Sequence, residues 1–407
     1  MADSKRHKPD TNSVALGHDA LRHLGSLKPP VYETSTFVFA TAEEGKRFFE
    51  RAYGDSTETQ EETGYIYSRL DSPNLAPAEA RLAAWEEAED AAIFTSGMGA
   101  ITTVLLTFLR PGDLVLYSLP TYGGTTTLMN GLLADFGVIT RPFRSTDTGE
   151  DLENTVGEYR LAMVYVETPA NPTNELFDLE MASDLAKKHD ARLVVDNTFL
   201  SPVWQRPITH GADLSLHSAT KYLGGHSDLT AGAVCGSSGD IARLRQTRYE
   251  IGTTPSPSTG WLLGRSLETL RLRVEQQTRN ATQIAAFLAG HDKVGRVSHL
   301  SLLQPGDRQH EIYKRQCDGP GAMVSFEIDG GEAECFRFLD AMELVRLATS
   351  LGGTESLASH PWTMSPPTVP AEEKRSIGVT PGLIRLSVGL EDAGDLIADL
   401  GRALDTV

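Results

Sequence analysis

The sequence predicts an α/β protein: a large domain on a mostly parallel sheet, then an α+β C-terminal domain. Two observations predict it. Short apolar segments at residues 91–94, 114–117, 162–166 and 192–195 alternate with amphipathic stretches. Strands that are apolar throughout belong to sheets covered on both faces. A long helical pattern over 267–288 then leads into two further strand segments, 324–328 and 383–388. The length of 407 residues agrees with two domains, because single cores stop growing near roughly 250–300 residues.

In chain order, residues 1–64 mix Pro29-Pro30, short apolar patches and an acidic stretch from Asp55 to Thr63. They read as an extended N-terminal arm without a core of its own. Residues 65–265 form the α/β domain; between its last two strand segments, 179–189 supplies the helix of a strand-helix-strand unit. Residues 266–407 form the second domain. The net charge of −18 disfavours nucleic acid as a partner. No apolar run approaches the roughly 18 residues that cross a bilayer, so no membrane association is expected. Cys235, Cys317 and Cys335 are widely spaced, without metal-ligand spacing, which suits a reducing cytoplasm and predicts no metal site.

The chemistry gathers where strands end. The run Ser218-Ala219-Thr220-Lys221-Tyr222 follows a strand, 192–195, that delivers Asp196. A lysine among small hydroxyl residues with an upstream aspartate suits pyridoxal phosphate: the amine condenses with the aldehyde, and the carboxylate keeps the pyridine nitrogen protonated. Taken singly, Lys221 also reads as a surface lysine and Asp196 as a helix cap. Ser96-Gly97-Met98-Gly99 opens an apolar helix, and helix starts attract phosphate; Ser218 and Thr220 add hydroxyl donors. Tyr122 can stack on a planar ring or sit in a loop, and Asn171, between Pro169 and Pro172, can reach a ring hydroxyl or merely shape a turn. Arg385 lies inside an apolar strand segment. A buried guanidinium calls for a carboxylate, from a bound amino acid or from an internal Asp or Glu.

Together these residues resemble the Cys/Met-metabolism (trans-sulfuration) family of pyridoxal 5'-phosphate (PLP) enzymes. The motifs, in order, are Tyr65-Ile66-Tyr67-Ser68-Arg69, Ser96-Gly97-Met98-Gly99, Tyr122-Gly123-Gly124-Thr125 and Glu167-Thr168-Pro169-Ala170-Asn171-Pro172, followed by Asp196-Asn197-Thr198, Ser218-Ala219-Thr220-Lys221, Ser350-Leu351-Gly352-Gly353 and Ile384-Arg385-Leu386-Ser387. Each motif alone is weak; the ordered set is specific. The resemblance implies the PLP-dependent transferase fold of the aspartate aminotransferase type (fold type I). It implies that Lys221 carries the cofactor and moves protons between Cα, C4′ and Cβ. Asp196 would pair with the ring nitrogen, Tyr122 stack on the ring, and Asn171 contact the ring hydroxyl. Gly97, Met98, Ser218 and Thr220 would hold the phosphate, with Tyr67 and Arg69 reaching it from a neighbouring subunit. A homotetramer, a dimer of catalytic dimers clasped by the arm, follows from that reach. Arg385, with Ser350, Asn171 and Thr349, would line the substrate site.

The departures narrow the choice. Cystathionine γ-lyases of this family typically carry arginine where this chain has Thr127 and glutamate where it has Thr349. An uncharged distal pocket follows, so the expectation is a carbon–sulfur lyase acting at Cγ of a methionine-like substrate. Gly124 stands where methionine γ-lyases usually have cysteine. γ-Replacement on O-acylhomoserine is the alternative. A non-catalytic regulator on the same fold is the reading from another class, and the intact set Lys221, Asp196, Tyr122 and Arg385 argues against it.

Overall fold

The computed structural model describes residues 7–53, 64–365 and 370–407. The acidic stretch from Asp55 to Thr63 lies outside the described residues. A seven-stranded sheet runs in the order β1-β7-β6-β5-β4-β2-β3. Its strands are β1 (Asp90–Phe94), β2 (Leu114–Ser118), β3 (Ile139–Phe143), β4 (Leu161–Glu167), β5 (Arg192–Asp196), β6 (Leu214–His217) and β7 (Gly232–Gly236). Only β7 is antiparallel to its neighbours. β2, β4, β5, β6 and β7 are almost wholly buried, as helices on both faces require.

Three of these strands lack a clear sequence signal. β3 carries Arg141 and Pro142 at the sheet edge, β6 has four residues, and β7 is bracketed by glycines. The fold-class expectation nevertheless stands, because the apolar central strands already dictate a covered parallel sheet.

The second sheet has the order β10-β11-β12-β9-β8. It comprises β8 (Val294–Ser298), β9 (Met323–Ile328), β10 (Arg346–Leu347), β11 (Leu357–Ser359) and β12 (Leu383–Ser387). The expected helix over 267–288 is found as Leu270–Ala289, preceded by a separate helix Pro257–Leu267. Between them, Glu268 turns its carboxylate to Lys28 (2.6 Å) and to the buried Arg81 (3.3 Å). One apolar cluster joins Ile93 and Ala233 of the first sheet to Val274 and Ile284 of the long helix and to Phe326 and Ile384 of the second sheet.

The N-terminal segment forms the helices Pro9–Ala15 and Ala42–Tyr53 and leaves Leu21, Leu24, Leu27 and Val38 largely exposed. It is tied to the body where Arg81 donates to the Leu16 carbonyl (3.1 Å). Among the described residues no helix is long and apolar enough to cross a membrane.

Candidate active site

Because β1, β4, β5 and β6 are mutually parallel, their C-terminal ends share one edge of the sheet, where open α/β sheets bind ligands. After β1, Ser96 caps the helix Gly97–Phe108: its hydroxyl accepts from the Gly99 amide (2.9 Å) and its carbonyl from Ala100 (3.0 Å). The Gly97 and Met98 amides are left pointing out of the helix start, where the dipole favours an anion. Ser218 closes on this turn so tightly that a Cβ on Gly97 would sit 2.9 Å from its Cβ and Oγ. Thr220 also has backbone partners. Its hydroxyl donates to the Ala231 carbonyl (3.1 Å) and accepts from the Ala231 amide (3.0 Å).

Asp196 ends β5 and pairs in register with Glu167 at the end of β4. Thr198 donates to Asp196 through its hydroxyl (2.5 Å) and amide (3.1 Å), and that same hydroxyl accepts from the Ser218 amide (2.8 Å). Tyr165 adds a longer bond (3.3 Å). Burial raises the Asp196 carboxyl above the usual range, against the pull of the Thr198 bonds. Glu167 is pushed up to about 8, by burial first and then by the neighbouring Asp196. Its oxygens accept from the Tyr122 amide (2.7 Å) and the Asn171 amide (3.0 Å). The half-exposed Tyr122 ring lies over Gly124, where a Cβ would be 2.6 Å from the ring and 3.0 Å from Met98 Sδ.

Lys221 donates from Nζ to Ser350 Oγ (2.7 Å). Burial, then the nearby Arg385 cation, lowers its amine to about 8. Ser350 holds a positive φ of 91°, and the loop beyond it presses onto the lysine: a Cβ on Gly352 (φ 74°) would meet the Tyr222 amide nitrogen at 2.7 Å. Arg385, carried by β12, donates to Asn171 Oδ1 (3.0 Å) and to the Ser350 carbonyl (2.9 Å). Its Nε has no partner, and no carboxylate bridges it among the described residues. The nearest internal acid to act on it is Glu167, through charge rather than contact. Burial lowers the guanidinium to about 10, a cost an incoming carboxylate would offset.

The structure thus gathers Lys221, Ser350, Arg385 and Asn171 by direct contact, with Glu167 joining Asn171 to Tyr122. Tyr67 and Arg69 stand apart. Arg69 donates to the Tyr249 carbonyl (2.8 Å) and lies 5.7 Å from the Tyr67 ring centre, and both side chains are substantially exposed. Thr349 and Thr127 are exposed and carry no charge. Sequence reasoning gave no role to Glu167, Thr198 or Gly352; the only hint was an acidic residue ending an apolar strand.

The family model for the Cys/Met metabolism PLP-dependent enzymes matches residues 10–405. The chain belongs to that family. It is 42% identical over 397 residues to the L-methionine gamma-lyase of Pseudomonas deceptionensis, covering 97% of this chain and 96% of that one. It is 39% identical to the cystathionine gamma-lyase of Bacillus subtilis, covering 94% and 95%. Among solved structures, the cystathionine gamma synthase of Xanthomonas oryzae in complex with aminoacrylate and cysteine superposes with a TM-score of 0.88 at 36% identity, covering 98% of each chain.

The residues present fit the family's cofactor. Two amides at a helix start and a turn with room for no side chain suit the phosphate, the amine of Lys221 is lowered toward neutrality, and the orphaned Arg385 Nε awaits an acceptor. Gly97→Val follows as a test of the phosphate cradle. The added methyls cannot enter without moving the Ser218 backbone, 3.1 Å from the hypothetical Cβ. Titration of cofactor-free protein with pyridoxal phosphate should give a dissociation constant raised roughly tenfold or more, as overpacking beside a buried anion site costs. An unchanged constant would place the phosphate elsewhere.

Proposed function

We propose that this protein cleaves the Cγ–sulfur bond of methionine or a close analogue, releasing an α-keto acid, ammonia and a thiol. For methionine the balance is methionine plus water giving 2-oxobutanoate, ammonia and methanethiol. The observation that carries the reading is the cluster of Lys221 with an Arg385 that has no carboxylate of its own. Thr127 and Thr349 supply no charge for a polar far end, and the similar L-methionine gamma-lyases support the same choice.

Bound pyridoxal phosphate would supply an aldehyde for the substrate amino group and an electron-withdrawing ring, on which Cα becomes acidic. Asp196 would hold the ring nitrogen protonated, Tyr122 cover the ring face, and Asn171 meet the ring hydroxyl. Gly97, Met98 and Ser218 would hold the phosphate; Thr220 would join them only if its hydroxyl left Ala231. Arg385 would fix the substrate carboxylate in bidentate fashion, with Ser350 steering the lysine beside it. Lys221, neutral in useful amounts near pH 8, would take the proton from Cα, then one from Cβ, and return a proton to carbon.

Tyr67 and Arg69 are exposed enough to reach a neighbouring subunit's phosphate, and the exposed leucines of the N-terminal arm need cover. A homotetramer of catalytic dimers meets both needs. Residues 1–64, 65–265 and 266–407 would then be arm, cofactor domain and C-terminal domain. Three unbridged cysteines support a cytoplasmic location.

The structural likeness to a cystathionine gamma synthase favours one second reading, γ-replacement on O-acylhomoserine. The test is to incubate PLP-loaded protein separately with methionine, cystathionine, and O-acetylhomoserine plus cysteine, measuring keto acid and thioether. Keto acid from methionine is expected. Thioether from O-acetylhomoserine with no keto acid from methionine would overturn the lyase reading.

A further inference from the structure

We propose that Glu167 is a positioning residue that locks the ring-facing Tyr122 to the substrate-facing pair Asn171 and Arg385. Its two oxygens divide between the two chain segments that follow the paired strands β2 and β4. Oε2 takes the Tyr122 amide (2.7 Å), at the start of the helix Gly123–Leu128, and Oε1 takes the Asn171 amide (3.0 Å), in the loop after β4. Asn171 in turn accepts from Arg385 on β12 (3.0 Å). One buried carboxyl group therefore spans the residue that would face the cofactor ring, the residue that would face its hydroxyl and, through that residue, the cation that would face the substrate.

The location is costly for an acid. Glu167 is 5% exposed, and its register partner on β5 is Asp196, itself 6% exposed. Two carboxyl groups at adjacent strand ends repel, and burial disfavours charge on each. A packing role would be met by an apolar residue or a glutamine at lower cost. Two amides arriving from different sides are met here by the two separate oxygens of one planar carboxyl group. The Glu167 amide is itself fixed by Ser118 Oγ (2.8 Å), so the carboxylate hangs from a braced strand end.

This inference rests on the proposed cofactor-dependent reading, and its test separates the two. Glu167→Gln keeps shape and one oxygen but turns an NH₂ toward one of the two amides, so one brace opens. The PLP-loaded variant is compared with the parent by visible circular dichroism, thermal melting, and separate kcat and KM for methionine. Glu167→Gln should lose roughly half or more of its visible dichroism, because the ring's tilt follows what holds its face. KM should rise roughly tenfold, the consequence of one buried donor left unpaired, with kcat falling less.

Glu167→Asp, which keeps both oxygens one methylene short, should recover part of both signals. A lower melting temperature with dichroism and KM within twofold of the parent would overturn the proposal, leaving Glu167 a packing residue. Should the Gln variant be insoluble, the Asp variant is measured in the same way, and insolubility of both would also overturn it. Parent protein that takes up no pyridoxal phosphate would instead sink the functional reading.

Discussion

Replacing Lys221 with alanine is expected to abolish keto-acid release while leaving cofactor affinity substantially intact. The Nζ atom stands against Ser350 and beside Arg385, where substrate Cα and Cβ would lie, and among the described residues no other amine or imidazole hydrogen-bonds Lys221, Ser350 or Arg385. General acid–base transfer by a placed side chain is worth about 10²–10⁴ in rate, and this lysine would serve two carbons in succession, so a loss of at least roughly a thousandfold is expected. The phosphate determinants lie on other segments, at Gly97, Met98 and Ser218, so reversible uptake of pyridoxal phosphate should persist in the variant.

The pH dependence has a definite sign. Burial and the Arg385 cation lower the amine to about 8, so protons leave it well before they leave an ordinary lysine. At pH 7 its neutral fraction is roughly a few hundred times that of a free lysine. Cofactor uptake by the cofactor-free parent, followed by absorbance, should therefore quicken with rising pH around a midpoint near 8. A midpoint near the ordinary lysine value would show that the amine is solvated. Full keto-acid release by Lys221→Ala would remove Lys221 from the chemistry altogether.

How much of this was legible in the sequence depended on how local each signal was. Lys221, Asp196 and the Gly97 turn stand directly after strands, so apolar runs that predict the sheet also place these residues on its ligand-binding edge. Arg385 was legible for a different reason, a charge inside a strand with no evident partner. β3, β6 and β7 were not legible, because an edge strand with Arg141 and Pro142, a four-residue strand and a glycine-bracketed strand lack the pattern of a buried one. Glu268, between two helices, meets Lys28, 240 residues away in the chain. The same holds for Glu167: its oxygens meet amides set by two loops, one of them 45 residues distant. Thr220 adds a partner the sequence did not show. A hydroxyl beside the lysine reads as a phosphate donor, and nothing in the sequence signalled that it also bonds the Ala231 backbone.

Arg385→Met is expected to give the largest loss that is specific to the substrate. The guanidinium is nearly enclosed and, among the described residues, holds two neutral acceptors, Asn171 Oδ1 and the Ser350 carbonyl, with Nε bare. Neither neutral oxygen balances a buried cation, whereas a substrate carboxylate does so through two parallel bonds. Truncating one member of a buried, hydrogen-bonded charge pair commonly costs about 2–5 kcal/mol, so kcat/KM for methionine should fall roughly a hundredfold or more. Arg385→Lys should recover little, because an ammonium has the charge but not the planar fork.

The same substitution has a second effect of opposite character. Removing the cation beside Lys221 takes away one of the two influences that lower its amine, so the midpoint of cofactor uptake should move above 8 while burial holds it below the ordinary value. A carboxylate-free analogue, 3-(methylthio)propylamine, separates the two roles. Its binding to the PLP-loaded protein should be nearly the same in parent and Arg385→Met, while methionine binding collapses. Equal losses for both ligands would mean that Arg385 holds the loop around Ser350 rather than the substrate, and the unpaired Nε would then need a different partner.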